Sequence, residues 1–203
     1  RARIFSRYAA LLAHVAAQGY DRVVIVAHSQ GTVISAELLR FLSSDGQHAP
    51  QRGDRPRIDG KTLPKISLLT LGCPLRQLYA ARFPTLYRWV LERHGAAHGP
   101  RADDIGVERW FNAYCSGDYV GRWLWSVATD DDDVIGYPMI DTTDAEVFGR
   151  TDAYAAFDPM PPVALPFANT REAEMCLGLG AHTHYFERDQ THVAWLIDHL
   201  VAE

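Results

Sequence analysis

Three residue types, widely separated in this chain, could together perform acyl-transfer chemistry. Ser29 stands in Ala27-His28-Ser29-Gln30-Gly31, a small-x-Ser-x-Gly pentapeptide. A serine hydroxyl is a weak nucleophile at neutral pH. It needs an imidazole to take its proton and a carboxylate to hold that imidazole in one tautomer. Two histidines at spacing two, His182 and His184, lie near the C-terminus in Gly180-Ala181-His182-Thr183-His184-Tyr185-Phe186. Asp118 follows the short turn Cys115-Ser116-Gly117, with Asp141 and Asp144 as reserve acids. On residue type alone, Asp118 serves equally well as an ordinary turn aspartate. A metal reading of His182 and His184 lacks further ligands at zinc spacing, so no metal or other cofactor is expected.

A nucleophile requires a particular setting, and the flanking residues supply it. Val23-Val24-Ile25-Val26-Ala27 is a short β-branched run without polar alternation, as in a strand buried on both faces of a parallel sheet. After Gly31 an apolar stripe of Val33, Ile34, Leu38, Leu39 and Leu42 predicts a helix. Strand, tight turn and helix together favour a nucleophile over a serine that merely caps the helix. The strained turn predicts small residues two before and two after the serine, met by Ala27 and Gly31. The Gln30 N–H, at the helix start, would face a developing oxyanion.

The remaining elements suit an α/β domain. Residues 3–17 read as a helix ended by Gly19, and the polar stretch 44–63 as a long surface loop. A second strand is expected at 65–71, stopped by Gly72-Cys73-Pro74. Residues 75–94 read as a helix in two pieces broken at Pro84, residues 95–107 as loop, and Arg109 to Tyr114 as a third strand. Residues 126–170 carry the acidic run Asp130 to Asp133, which lacks the ligand spacing of a calcium loop and reads as a solvated loop. A last strand is expected over 174–179 and a closing amphipathic helix over 188–202. Strands alternating with helices imply one α/β domain over 1–203, with a mostly parallel sheet flanked by helices.

At this point the chain resembles the lipase and esterase branch of the α/β-hydrolases. Val24 to Val33 is similar to the nucleophile segment of that family, where a histidine at the position of His28 is common and supporting. Leu71-Gly72-Cys73-Pro74-Leu75 resembles the Leu-Gly-Ser-Pro-Leu often found at the end of the next strand. Trp110 to Gly121 resembles the acid segment, in which an aromatic-Asn-x-Tyr strand leads to Asp-x-Val-Gly. The base segment His-Ser/Thr-x-Tyr-Trp/Phe maps onto His182, Thr183, Tyr185 and Phe186. The likeness covers most of residues 20–200 outside the irregular stretches. It implies a Ser29, Asp118 and His182 triad, with His184 as the alternative base and Gln30 as one oxyanion donor. It also implies that the early strands and the second oxyanion donor precede residue 1. The fold would then be truncated at its N-terminus, leaving the strand at 22–27 with an unpaired edge.

Composition narrows the partners. The chain has 203 residues, 47% hydrophobic and 22% charged, which is ordinary globular composition. A formal net charge of -5 and the lack of a basic stripe argue against nucleic acid. No apolar run approaches the about 18 residues that span a bilayer, so membrane association would need segments upstream. Cys73, Cys115 and Cys176 have neither disulfide nor zinc spacing; they read as small buried hydrophobes and lean toward a reducing, cytoplasmic setting. The expected activity is hydrolysis of a small-molecule or lipid carboxylic ester through an acyl-enzyme. Acyl transfer, thioester or peptide cleavage by the same triad remain alternatives, as does a catalytically inactive interaction module. Trp123, Trp125, Tyr137 and Phe157 are candidates for the wall of an acyl pocket, with core packing the expected use of most of them.

Overall fold

The computed structural model describes residues 2–48, 65–94, 97–115, 117–128, 135–136, 171–177, 180–187 and 191–202. Helix α1 (Ala2–Ala16) precedes strand β1 (Arg22–His28), helix α2 (Gln30–His48) and strand β2 (Lys65–Leu71). Short strands β3 (Arg93–His94) and β4 (Ala97–His98) come before β5 (Arg109–Tyr114). Strands β6 (Ser126–Ala128) and β7 (Ile135–Gly136) are followed by β8 (Glu172–Cys176) and helix α3 (Thr191–Ala202).

The main sheet has four strands in the order β1-β2-β5-β8, every pair parallel. Parallel neighbours require a crossover, which α2 supplies between β1 and β2. Alternate residues of a strand face opposite sides. Ile66, Leu68 and Trp110 therefore pack with Leu12 of α1 and Val33, Leu38 and Leu39 of α2. Leu69, Leu71, Phe111, Ala113 and Met175 pack with Val193, Leu196 and Leu200 of α3 on the other side. Both faces of the central strands are covered, so β2 is buried from Ile66 to Leu71 and β5 from Trp110 to Tyr114. The domain is an α/β fold with a parallel sheet between helices. Among the described residues β1 is an edge strand, with Val26 38% exposed. Strands β3, β4, β6 and β7 form a separate small antiparallel sheet. No helix among the described residues is long and apolar enough to cross a membrane.

Several boundaries differ from the sequence expectation. Residues 75–94 do break into two helical pieces at Pro84, but both are short and irregular. They form a π-helical turn (Leu75–Ala80), a turn through Pro84 and a 3-10 turn (Arg88–Val90) before β3. Pro74 opens the first turn, and Pro84 disfavours helical backbone at Phe83. The expected loop at 95–107 contains β4 and a 3-10 turn (Ala102–Ile105) closed by the left-handed Gly106. The last strand runs over Glu172–Cys176, starting two and ending three residues earlier than expected, with Glu174 buried at its centre. Helix α2 continues to His48, inside the stretch read as loop.

Glu174 belongs to a polar row crossing the sheet. Thr70, Asn112 and Glu174 are register partners on β2, β5 and β8. The Thr70 hydroxyl donates to Asn112 Oδ1 at 2.9 Å, and Asn112 Nδ2 donates to Glu174 Oε2 at 2.8 Å. All three side chains are buried. Burial pushes the Glu174 carboxyl up to about 8, against the lowering effect of its hydrogen bonds from Leu124, Asn112 and Trp125 and the charge of Arg76. The folded chain therefore holds a proton that the unfolded chain, titrating near 4.5, has released. Stability from this group is fully present below pH 4.5 and is lost as pH rises through about 8. Each pH unit in that window costs about 1.4 kcal/mol. Urea denaturation between pH 5 and 9 should show this decline, and Glu174→Gln should flatten it. An identical slope in both proteins would remove Glu174 as its source.

Candidate active site

Every side chain of the site comes from the end of a sheet strand or from the connection that follows it. Strand β1 ends at His28, and Ser29 turns the chain sharply into α2 with φ of 54°. It is the one non-glycine residue with positive φ among the described residues. Such a conformation costs about 1–3 kcal/mol and persists only when its surroundings enforce it. Here the Ser29 N–H donates to Leu71 O at 3.0 Å, and Thr32 donates to Ser29 O through its N–H at 3.0 Å and its hydroxyl at 2.6 Å. Gln30, exposed, is the first residue of α2, where backbone N–H groups have no intrahelical acceptor. Ala27 is buried in the core. The expected steric demand at Gly31 does not appear, because a Cβ built there meets nothing within 4 Å.

The structure brings Ser29, His182 and Asp118 into one hydrogen-bonded chain. The Ser29 hydroxyl donates to His182 Nε2 at 2.7 Å, and His182 Nδ1–H donates to Asp118 Oδ2 at 2.8 Å. Asp118 fixes the tautomer, because its carboxylate accepts at Nδ1 and so leaves Nε2 a free lone pair for the serine proton. The His182 side chain is 18% exposed and that of Asp118 fully buried, so solvent reaches the imidazole but not the acid.

Asp118 is surrounded by donors. Its Oδ1 accepts the N–H groups of Val120 at 2.8 Å and Gly121 at 3.0 Å. Its Oδ2 accepts the Tyr185 hydroxyl at 2.7 Å besides His182. Burial alone would raise this carboxyl; the bonds from His182, Gly121, Tyr185 and Val120 outweigh it and hold the group below the usual aspartate range. Burial, followed by the bond to Asp118, pushes the Tyr185 phenol far above its ordinary value, so its oxygen keeps the proton it donates.

Two glycines let these groups meet. Gly72, at φ of 55°, would drive a Cβ to 2.7 Å from Asp118 Oδ2 and 3.0 Å from His182 Nδ1. A Cβ on Gly121 would lie 2.0 Å from the Gly72 carbonyl carbon, so the acid's loop rests directly on the end of β2. His182 is anchored as well. His28 Nε2–H donates to the His182 carbonyl at 2.8 Å, and its ring packs on those of His182, Tyr185 and Phe186.

His184, the alternative base, lies elsewhere. Its Nδ1 accepts the Ala181 N–H at 3.1 Å, and its Nε2 is 3.6 Å from Glu187. The two histidines thus diverge, and no group of three or more metal-ligating side chains gathers among the described residues. Trp125 is a core residue, donating to Pro100 O at 2.6 Å and packing edge-on against Trp110. Trp123 is half-buried. Tyr137, Phe157, Asp130 to Asp133, Asp141 and Asp144 lie outside the described residues. Burial pushes the Cys73 thiol up to about 12 and that of Cys115 up to about 11, so neither supplies a thiolate near neutral pH. Cys176 is half-buried.

Sequence reasoning placed Tyr185 and Gly72 in motif segments but gave neither a part at Asp118. The tyrosine lies three residues beyond the histidine and the glycine ends β2, positions that only the assembled strand ends bring to Asp118.

No protein-family model, curated protein or solved structure matches the chain at a significant level.

Tyr185→Phe would delete a buried hydroxyl that donates to Asp118 and accepts the Cys115 N–H at 3.0 Å. Urea denaturation should register a loss of about 1–3 kcal/mol, and the Asp118 carboxyl should titrate higher by NMR. An unchanged midpoint together with an unchanged Asp118 titration would show that the hydroxyl is not engaged as described.

Proposed function

We propose that this chain is a serine hydrolase of the α/β-hydrolase type that cleaves carboxylic esters through an acyl-enzyme. The observation that carries this reading is the continuous Ser29–His182–Asp118 hydrogen-bond chain, at 2.7 and 2.8 Å, ending on a serine held at positive φ. A serine needed only as a helix cap would have no use for an oriented imidazole or for a buried acid behind it. The parallel sheet, with all three groups at its strand ends, supports the same reading.

In the first half-reaction Ser29 Oγ attacks the ester carbonyl carbon and His182 Nε2 takes its proton. The carbonyl π electrons move onto oxygen, and the Gln30 N–H stabilises the resulting oxyanion. Collapse re-forms the carbonyl and breaks the bond to the alcohol, which leaves with the proton from His182. Water then repeats the sequence on the acyl-serine, releasing the carboxylic acid and restoring Ser29. Asp118 stays ionised throughout and stabilises the imidazolium, the role for which its four donors prepare it.

A fluorophosphonate probe should label Ser29, and the chain should hydrolyse a short p-nitrophenyl ester. Ser29→Ala should abolish labelling, and Asp118→Asn should lower ester turnover by about 10³–10⁴-fold. A correctly folded chain that neither labels nor turns over would favour a non-catalytic interaction module instead.

A further inference from the structure

One buried carboxyl group has no part in that mechanism. Glu174 lies on β8, beside the strand that leads to Asp118, and its side chain is buried. Its Oε2 accepts the Leu124 N–H at 2.6 Å and Asn112 Nδ2 at 2.8 Å. Asn112 Nδ2 also donates to the Arg122 carbonyl at 3.0 Å. The pair therefore grips the chain at two points, residues 122 and 124, just beyond the N–H groups of Val120 and Gly121 that hold Asp118 Oδ1.

We propose that Glu174 is a positioning residue for the active site: through Leu124 and Asn112 it fixes the 118–125 loop whose backbone cradles Asp118. The proposal rests on the hydrolase reading for its consequence in catalysis, though not for its geometry.

Several observations converge on it. Thr70 orients Asn112 by donating to Oδ1, and so directs both Nδ2 protons toward Glu174 and the loop. Trp110 Nε1–H in turn donates to Thr70 Oγ1 at 3.2 Å. On the other side of the loop, Arg76 donates to the Leu124 carbonyl at 2.8 Å. Arg122 closes the loop on itself, donating from Nε to the Asp118 carbonyl at 3.0 Å. The titratable groups facing Glu174 are Arg76, from the π-helical turn, and Cys73, from the end of β2. A polar row of this kind is costly to bury unless every member is satisfied. An apolar residue would fill the site on β8 equally well if packing were its whole purpose. What the carboxyl group adds is an acceptor oxygen for a loop N–H that has no strand partner.

The test compares Glu174→Met, which removes the acceptor at similar size, with Glu174→Gln, which keeps an acceptor oxygen. Two readouts are needed: the rate of Ser29 labelling by a fluorophosphonate, and the far-downfield proton NMR resonance of His182 Nδ1–H, identified by its loss in Asp118→Asn. Circular dichroism reports the fold. Glu174→Met should keep its fold, broaden or lose the resonance and label about tenfold or more slowly, whereas Glu174→Gln should stay within about threefold of the parent chain. A folded Glu174→Met with the parental resonance and labelling rate would overturn the proposal, as would a Glu174→Gln as damaged as the Met variant. If Glu174→Met does not fold, Asn112→Ala, which releases Arg122 but leaves the Leu124 bond, decides by the same two readouts. Were the parent chain to show the resonance without labelling, the hydrolase reading would fall while the resonance still judged Glu174. Absence of the resonance from the parent chain would overturn the proposal directly.

Discussion

A carboxylate with no exposure to water is the constraint around which this molecule is organised. An ionised aspartate in a protein interior is tolerated only when its oxygens are fully hydrogen-bonded. Asp118 meets that condition with four donors from three places: its own loop, the His182 ring and the Tyr185 hydroxyl. Each donor fixes something else in turn. The loop amides require the chain to double back onto Gly72. The tyrosine requires the segment after β8 to pass directly behind the acid. The histidine is left with one orientation, facing Ser29.

The sheet makes this assembly possible because its strands are parallel. All four C-terminal ends then lie at the same edge, and residues far apart in sequence reach one place without long excursions. The alternation along each strand separates duties. On the α3 side the central strands are apolar through Leu69, Leu71, Phe111 and Ala113. On the other side, one layer below the site, the apolar ladder gives way to Thr70, Asn112 and Glu174. That substitution of hydrogen bonds for packing occurs where the sheet must hold a loop in place of another strand.

The strand, turn and helix around Ser29 were legible because they are local: a β-branched run, a tight turn and an amphipathic stripe are all continuous in sequence, although the strand is a half-buried edge strand and not buried on both faces as expected. The central strands were legible for the same reason. Glu172–Cys176 was displaced toward the apolar residues beyond it, since two glutamates in five positions look solvent-facing until the partners of Glu174 are known. His182 and His184 could not be separated by composition. The short 3-10 turn at His184–Phe186 sends the two rings apart, and that geometry follows from Tyr185 burying itself against the acid. Gly31 was read as small for steric reasons, yet open space surrounds its Cβ position. Gly72 and Gly121 carry that steric burden instead, and nothing local to either glycine announces that the other lies against it.

His28 has a mechanical consequence. It adjoins Ser29 in the chain and also holds the main chain of His182, so one strand end links these two residues. The bond ties the end of β1 to the segment that follows β8. A shift of the β1 end would therefore displace the Ser29 turn and the His182 main chain together, so their spacing rests on that one bond.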